Sequence, residues 1–200
     1  DDDESIAEST RRLESVLRNR LVFLEGWHFQ DPIDFSRYAD DIRAYFTPRE
    51  KYMDDAREIH RQVRMGADVI VGLHIRRRDY RRFKGGKYYF DNKVYVKIIQ
   101  DLVAQFPGKR VKVLIASDEP LQMQDYSPVS DKIVWDVREP IIDLLALSLC
   151  DYIVGPPSTF SSWASFYGKV PMVFIEDPQQ SINLEEAVLA TSSLRLARQR

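Results

Sequence analysis

Two hundred residues, 44% hydrophobic and 30% charged with a net charge of −2, suffice for one large domain or two small ones with a substantial core. The near-neutral balance excludes a general nucleic-acid-binding surface, which needs broad positive charge. Positive field must be local, and it is concentrated between Arg76 and Arg82, where five of seven residues are arginine. Cys150 is the only cysteine, so no internal disulfide can form, which fits a reducing compartment. No apolar run reaches the ~18–20 residues that span a bilayer. The acidic start, "DDDES", lacks the positive and apolar regions of a signal peptide and is open to two readings, an artificial boundary or a cut through a longer protein. The expected location is cytoplasmic, or the Golgi lumen if the chain is trimmed from a eukaryotic protein, with peripheral membrane contact left open.

In chain order, Asp1–Glu4 read as disordered and Ser5–Leu17 as an amphipathic helix with Ile6, Leu13, Val16 and Leu17 on its apolar face. "RLVFLEGW" (Arg20–Trp27) reads as a strand. Asp31-Pro32 is a helix-start signal for a helix to about Phe46. Thr47-Pro48 restarts a second helix through Met65, stopped by Gly66. These elements form an N-terminal helical and linker region, 1–66, that braces the rest of the chain. From 67 to 200 strands and helices alternate. Val69–Arg76 is a β-branched strand of the kind buried on both faces of a parallel sheet. Asn92–Phe106 is a helix, "RVKVLIAS" (Arg110–Ser117) a strand, and "KIVWDV" (Lys132–Val137) a third strand. Pro140 opens a helix to Cys150, which makes Cys150 a buried, inert thiol. "YIVG" (Tyr152–Gly155) is a fourth strand, followed by a helix to Tyr167, a strand "VPMVFI" (Val170–Ile175), and a closing helix, Leu184–Ala197. The fold class is therefore α/β: a Rossmann-like parallel sheet with helices on both faces, plus N-terminal bracing helices.

In open α/β sheets ligands bind beyond the carboxyl ends of the strands. Three such ends carry groups suited to phosphate. The first delivers His74, Arg76, Arg77 and Asp79; arginine is always charged and can grip one anion with two bonds. The second delivers Ser117 and Asp118, a carboxylate placed to accept from a ribose hydroxyl or a base N–H. The third delivers Ser158, Thr159, Phe160 and Ser161 at a helix start, where unpaired N–H groups and the positive dipole end favour anions. Neither "GxGxxG" nor "GxxxxGK[ST]" occurs, which disfavours dinucleotide oxidoreductases and ATPases. No metal-ligand pattern follows a strand, and Asp40-Asp41 and Asp54-Asp55 fall on helices where neighbours point apart. Bland alternatives stand beside these readings. His74 can be a hydrogen-bonded core histidine, Ser158–Ser161 a plain helix cap, and Gly85-Gly86 a turn as readily as a lid. Tyr88, Tyr89 and Phe90 can pack as well as stack on a sugar. Trp163 and Phe166 read as core, and Arg81 and Arg82 as solvated surface.

At these same residues a family resemblance is visible. "HIRRRDY" (His74–Tyr80) resembles the "H-[VI]-R-R-G-D-Y" motif of the α1,2-fucosyltransferases, glycosyltransferase family eleven, and the related motif of α1,6-fucosyltransferases. "VLIASDEPL" (Val113–Leu121) is similar to their second motif, and "DYIVGPPSTFSSWASFYG" (Asp151–Gly168) to their third, "S-[ST]-F-S-x-W-[AG]". "FLEGWHF" resembles the "GY[FW]Q" stretch ahead of the first motif. The resemblance runs from about Leu21 to Ile175. It implies the donor-binding half of a GT-B glycosyltransferase that uses GDP-fucose with no required metal or other cofactor, and a glycan acceptor. Residue by residue, it implies that Arg76 binds the β-phosphate and stabilises departing GDP, and that Arg77 also lies in the donor site. It implies that His74 and Asp79 shape the pocket, that Asp118 lies near the nucleoside, and that Thr159, Phe160 and Ser161 hold the pyrophosphate. Arg78 stands where the family has glycine; a bulky residue there would crowd the donor or re-aim Asp79. A GT-B enzyme carries a second domain, roughly a hundred residues more.

The leading expectation is inverting, metal-independent fucosyl transfer to a glycan hydroxyl, with Arg76 and Asp79 as catalytic residues and Asp79 as candidate base. The alternative is a non-catalytic nucleotide-sugar or glycan-binding module derived from that fold. A third reading takes Arg76–Lys87, with Tyr80, Phe83, Tyr88 and Tyr89 interleaved, as an RNA-contacting loop, which the overall acidity disfavours.

Overall fold

The computed structural model describes residues 32–190. The expected disordered start, the helix Ser5–Leu17, the strand Arg20–Trp27, the cap Asp31 and the last residues of the closing helix lie outside them. The chain divides after Arg37 into two units. In the first, the described element is α1 (Pro32–Arg37). The second holds everything else. The helix expected to run unbroken to Phe46 is interrupted at Tyr38, and α2 covers Ala39–Tyr45. Next, α3 (Glu50–Met65) ends at Gly66, as its sequence signal requires.

The sheet is parallel and five-stranded in the order β3-β2-β1-β4-β5. Its strands are β1 (Val69–Ile75), β2 (Val111–Ser117), β3 (Ile133–Val134), β4 (Tyr152–Gly155) and β5 (Met172–Phe174). Between them run α4 (Asn92–Ala104), α5 (Pro140–Leu147) and α6 (Thr159–Gly168). All seven residues of β1 are buried. That is the reason for its unbroken apolar run: a central strand covered on both faces has no solvent side to mark with polar residues. Alternation then sorts its side chains. Val69, Val71, Leu73 and Ile75 join the α4 side, with Tyr95, Ile98, Ile99 and Leu102. Ile70 joins the other side, with Ala56 and Val63 of α3 and Leu145 and Ala146 of α5. Each such aliphatic side chain contributes roughly 1.5–3 kcal/mol by leaving water.

Carboxylates from neighbouring segments hold both ends of β1. At its start, Asp151 Oδ2 accepts from the Ile70 N–H at 2.7 Å, and the Asp151 carboxylate takes both bonds of Arg64 Nη2 at 2.9 Å. At its exit, Asp118 accepts from the backbone of Arg77 and Arg78, beyond the end of the strand. Cys150 is buried, its thiol donating to Ala146 O at 3.4 Å; burial raises its pKa, so it is the inert thiol expected.

The C-terminal expectation needs correction. From Leu184 the chain makes one 3-10 turn, Leu184–Glu186, and runs on without helix to Leu189; within the described residues α-helix is assigned only at Ala190, so the expected helix does not start at Leu184. Instead Met172 and Val188 pair as an antiparallel bridge, exchanging N–H···O bonds of 2.9 and 3.1 Å. The free edge of β5 needs a hydrogen-bonding partner, and that demand overrides the helical propensity of "LEEAVL".

α6 lies close under the end of α5. A Cβ on Gly168 would stand 1.9 Å from Ser148 O, a backbone atom that cannot swing aside. Gly168→Ala is expected to lower stability by about 1–3 kcal/mol, measured as a reduced urea midpoint with an unchanged m-value.

Candidate active site

The strand order puts β1 between β2 and β4. The chain runs outward from β1 through β2 to β3, then returns to the opposite side of β1 for β4. The β1/β4 boundary is therefore the point where strand order reverses, the place where open α/β sheets bind ligands. All three rims singled out in the sequence are adjacent here.

The two oxygens of Asp118 accept from the Arg77 N–H at 2.9 Å and the Arg78 N–H at 3.1 Å, tying the exit of β1 to the tip of β2. Successive residues leaving a strand point to opposite faces, and the two leading arginines divide accordingly. Arg76 stays at the rim, partly exposed. Its guanidinium lies 5.2 Å from the centre of the Tyr80 ring and grips Asp79 with two bonds, Nε–Oδ1 at 3.1 Å and Nη2–Oδ2 at 3.0 Å. The bonds from Arg76 hold the Asp79 carboxyl below its ordinary pKa. Arg77 goes inward and is 6% exposed. It donates to Phe90 O at 3.0 Å, Glu119 Oε1 at 3.3 Å and Asn92 Oδ1, and lies over the Tyr95 ring. The expectation set Arg77 beside Arg76 in the donor site; here its fork is turned away from the rim and occupied within the protein.

Tyr80 links this rim to the third one. Its hydroxyl donates to Pro157 O, in the turn between β4 and α6. Burial raises the phenol's pKa, so it is a neutral donor at physiological pH. Arg76 is thus connected through the Tyr80 ring to the start of α6. There Ser158 is the N-cap, its Oγ accepting from the Phe160 N–H at 3.2 Å. Ser161 is fully buried and donates to Ser158 O at 3.3 Å. Ser158 and Ser161 therefore build the cap, while Thr159 is exposed at the helix start and Phe160 is half-buried. The first-turn amides that a helix leaves without intrahelical partners belong to this same turn.

His74 lies on the α6 side of β1, 3% exposed, with its ring 5.0 Å from that of Phe160. Its Nδ1 has no hydrogen-bond partner within the protein. Burial, aided by the nearby Arg76 charge, lowers its pKa to about 3, so it is a neutral imidazole. A Cβ on Gly155 of β4 would meet His74 Cβ at 2.9 Å and its backbone oxygen at 3.0 Å, so glycine is what lets β4 approach. Arg78 adopts ordinary right-handed backbone angles, φ −48° and ψ −70°, with its side chain exposed. Glycine's conformational freedom is not needed there, and Asp79 is free to reach Arg76.

Sequence reasoning places Glu119 on the second rim but assigns no role to the residues that support this one. Glu119 receives both Arg77 and Arg81, each at 3.3 Å. Asn92 accepts from Arg77 and from the Tyr126 hydroxyl at 3.1 Å. Tyr80 closes the motif His74–Tyr80 in sequence, but no role is assigned to it there. The signal for Asn92 is its place next to the helix cap Asp91, whose carboxylate accepts from the Val94 N–H. Among the described residues no three His, Cys, Asp or Glu side chains converge as a metal site, and no helix is long and apolar enough to cross a membrane.

Sheet order and rim together define a Rossmann-like domain with a guanidinium and a helix N-terminus at its switch point. The model of glycosyl transferase family 11 matches residues 27–183, and the chain belongs to that family. Among solved structures, the fucosyltransferase NodZ from Bradyrhizobium matches at 18% identity with a TM-score of 0.52, over 89% of this chain and 64% of that one. A crystal structure of NodZ α-1,6-fucosyltransferase soaked with GDP-fucose matches at 17% identity and TM-score 0.52, over 87% of this chain and 62% of that one. At such identities the likeness speaks for the fold, and this chain spans less than two thirds of either solved chain. No curated protein sequence matches significantly.

The buried neutral histidine has a pH consequence. Between its folded pKa of about 3 and the unfolded value of 6.5, the unfolded chain binds a proton that the folded chain does not. Stability conferred by neutral His74 is complete above pH 6.5 and falls by up to about 1.4 kcal/mol per unit as the pH drops toward 3. His74→Phe should flatten urea-denaturation stability between pH 6.5 and 4.5, and the His74 ring should show no NMR titration across that range.

Proposed function

We propose that this chain is the donor-binding half of a GT-B fucosyltransferase that moves fucose from GDP-fucose to a glycan hydroxyl, with inversion and without a metal. The observation that carries this is Arg76: a guanidinium at the sheet's switch point, joined through Tyr80 to the turn that starts α6. Membership of family 11 supports the transferase class. The structure of NodZ soaked with GDP-fucose supports the donor.

In this reading the acceptor oxygen attacks the anomeric carbon as the bond from that carbon to the β-phosphate oxygen breaks. Negative charge grows on the diphosphate, where Arg76 and the first-turn amides of α6 around Thr159 meet it. Such preoriented donors stabilise the transition state more than the ground state. They also fill the role a divalent cation has in metal-dependent transferases, which is the basis for metal independence. Asp79 holds the Arg76 fork until a phosphate claims it. The carboxylate then accepts the proton of the acceptor hydroxyl. His74, Phe160, Ser158 and Ser161 form the wall of the donor pocket. Arg77 acts on it indirectly, by fixing the segment from which Arg76 projects. Asp118 keeps lone pairs beyond its two backbone bonds, with which to receive a ribose hydroxyl or base N–H.

A thermal-shift series with GDP, UDP, ADP and their sugars tests the donor. Selective stabilisation by GDP and GDP-fucose is expected, about 2.7 kcal/mol at a hundredfold excess over Kd, unchanged by EDTA. Arg76→Ala should keep the ligand-free Tm, lose that stabilisation, and reduce transfer to a galactoside by ~10²–10³-fold. Undiminished GDP binding or turnover in Arg76→Ala overturns the scheme.

A further inference from the structure

The segment after β1 carries charge that the proposed donor chemistry does not use. Residues 78–87 hold five cations, Arg78, Arg81, Arg82, Lys84 and Lys87, against one acid, Asp79, in a chain whose net charge is −2. Asp79 is already engaged by Arg76. Arg81 shares Glu119 with Arg77. Arg78, Arg82, Lys84 and Lys87 are exposed and form no ion pair with a described carboxylate. Five like charges in so short a stretch repel one another, and among the described residues Glu119 alone forms an ion pair with any of them.

The segment is also built to hold its shape. It forms two short 3-10 turns, Asp79–Arg81 and Phe83–Gly86, anchored by the buried rings of Tyr80 and Tyr88. Lys84, Gly85 and Gly86 follow one another with φ of 48°, 67° and 81°. Glycine takes that region without cost, but a lysine there carries roughly 1–2 kcal/mol of strain. Such strain persists where the surroundings impose a particular presentation of the side chain. Among these cations stand two exposed aromatics, Phe83 at 44% and Tyr89 at 38%. Phe83 stacks with one face on Tyr80, centroids 5.2 Å apart at 26°, and Tyr80 in turn lies beneath Arg76. Phe83 is therefore two contacts from the guanidinium at the switch point.

Resting on the proposed donor chemistry, we infer that residues 78–89 are the acceptor subsite and that the acceptor is an acidic glycan, one bearing carboxylate or sulfate groups near the fucosylated sugar. A flat aromatic face accepts the C–H face of a pyranose, and flanking cations match ring substituents that carry negative charge. The position decides in favour of an acceptor. Phe83 is joined to the Arg76 guanidinium through the Tyr80 ring, which puts a ligand on it in the neighbourhood that the second substrate of a transferase must occupy. The two exposed rings, Phe83 and Tyr89, suit one or two sugar residues. A single-stranded RNA is held along a broadly basic groove, which the net charge of −2 disfavours.

The test uses the 200-residue chain saturated with GDP, titrated by calorimetry with three ligand types: lactose, sulfated lactose and digalacturonic acid. Both acidic sugars, or one of them, are expected to bind at least tenfold more tightly than lactose; which one does so separates sulfate from carboxylate recognition. Lys84→Gln with Lys87→Gln should erase that preference while GDP stabilisation stays unchanged. Phe83→Ala should weaken all three sugars together. Equal affinity for lactose and the acidic sugars, or a preference that survives the double substitution, overturns the inference. So does tighter binding of an oligouridylate with a steep salt dependence. If GDP itself fails to stabilise the chain, the donor reading falls instead, and the titrations repeated without GDP still decide whether the patch selects acidic sugars.

Discussion

The arrangement of the rim depends on one carboxylate. Asp118 receives the N–H groups of the two residues that follow Arg76, and so fixes the path of the chain as it leaves the central strand. Two backbone bonds, at 2.9 and 3.1 Å, to the two oxygens of one carboxylate fix direction as well as distance. With that path fixed, the alternation of the strand continues for two more residues, and neighbouring arginines of identical chemistry face different surroundings. Arg76 is left at the crevice. Arg77 is taken into a cluster with Glu119, Asn92, Phe90 and the Tyr95 ring. A buried guanidinium is tolerable when its donors are satisfied and a counter-charge is near; the acceptors on Phe90, Asn92 and Glu119 meet that condition.

How much of this is legible in the residues depends on which forces are local. The central strand and β4 are plain because burial on both faces writes a continuous apolar run. Helix starts at Asn92, Pro140 and Thr159 are plain because capping is a matter of a few neighbouring atoms. The three rims are also legible, since each is the residue set just past a strand. The division of labour within them is not. Arg76 and Arg77 look alike in sequence, and only the bonds from Asp118, about forty residues away, separate them. Tyr80 is likewise invisible as a link, because its partner, Pro157 O, lies far along the chain. The C-terminal segment fails for a related reason. Its helical propensity is local, while the edge of β5 that claims Val188 is not.

Two glycines let the elements around the site approach one another closely. Gly155 lets β4 press against His74, and Gly168 lets α6 pass beside the backbone of Ser148. Both act through the absence of a side chain. Neither adds a group of its own to the chemistry.

Seen from its two ends, β1 is gripped by acidic residues that belong to other strands' connections: Asp151 on the Ile70 N–H at the start, Asp118 on the Arg77 and Arg78 N–H groups at the finish. The span between those anchors admits one alignment of residues and no other. Sliding the strand by a single position would invert every side chain. It would bring Arg77 to the crevice and send Arg76 inward. The two aspartates therefore act as end-stops that decide which of two identical side chains meets the outside world, a choice the arginines cannot make for themselves.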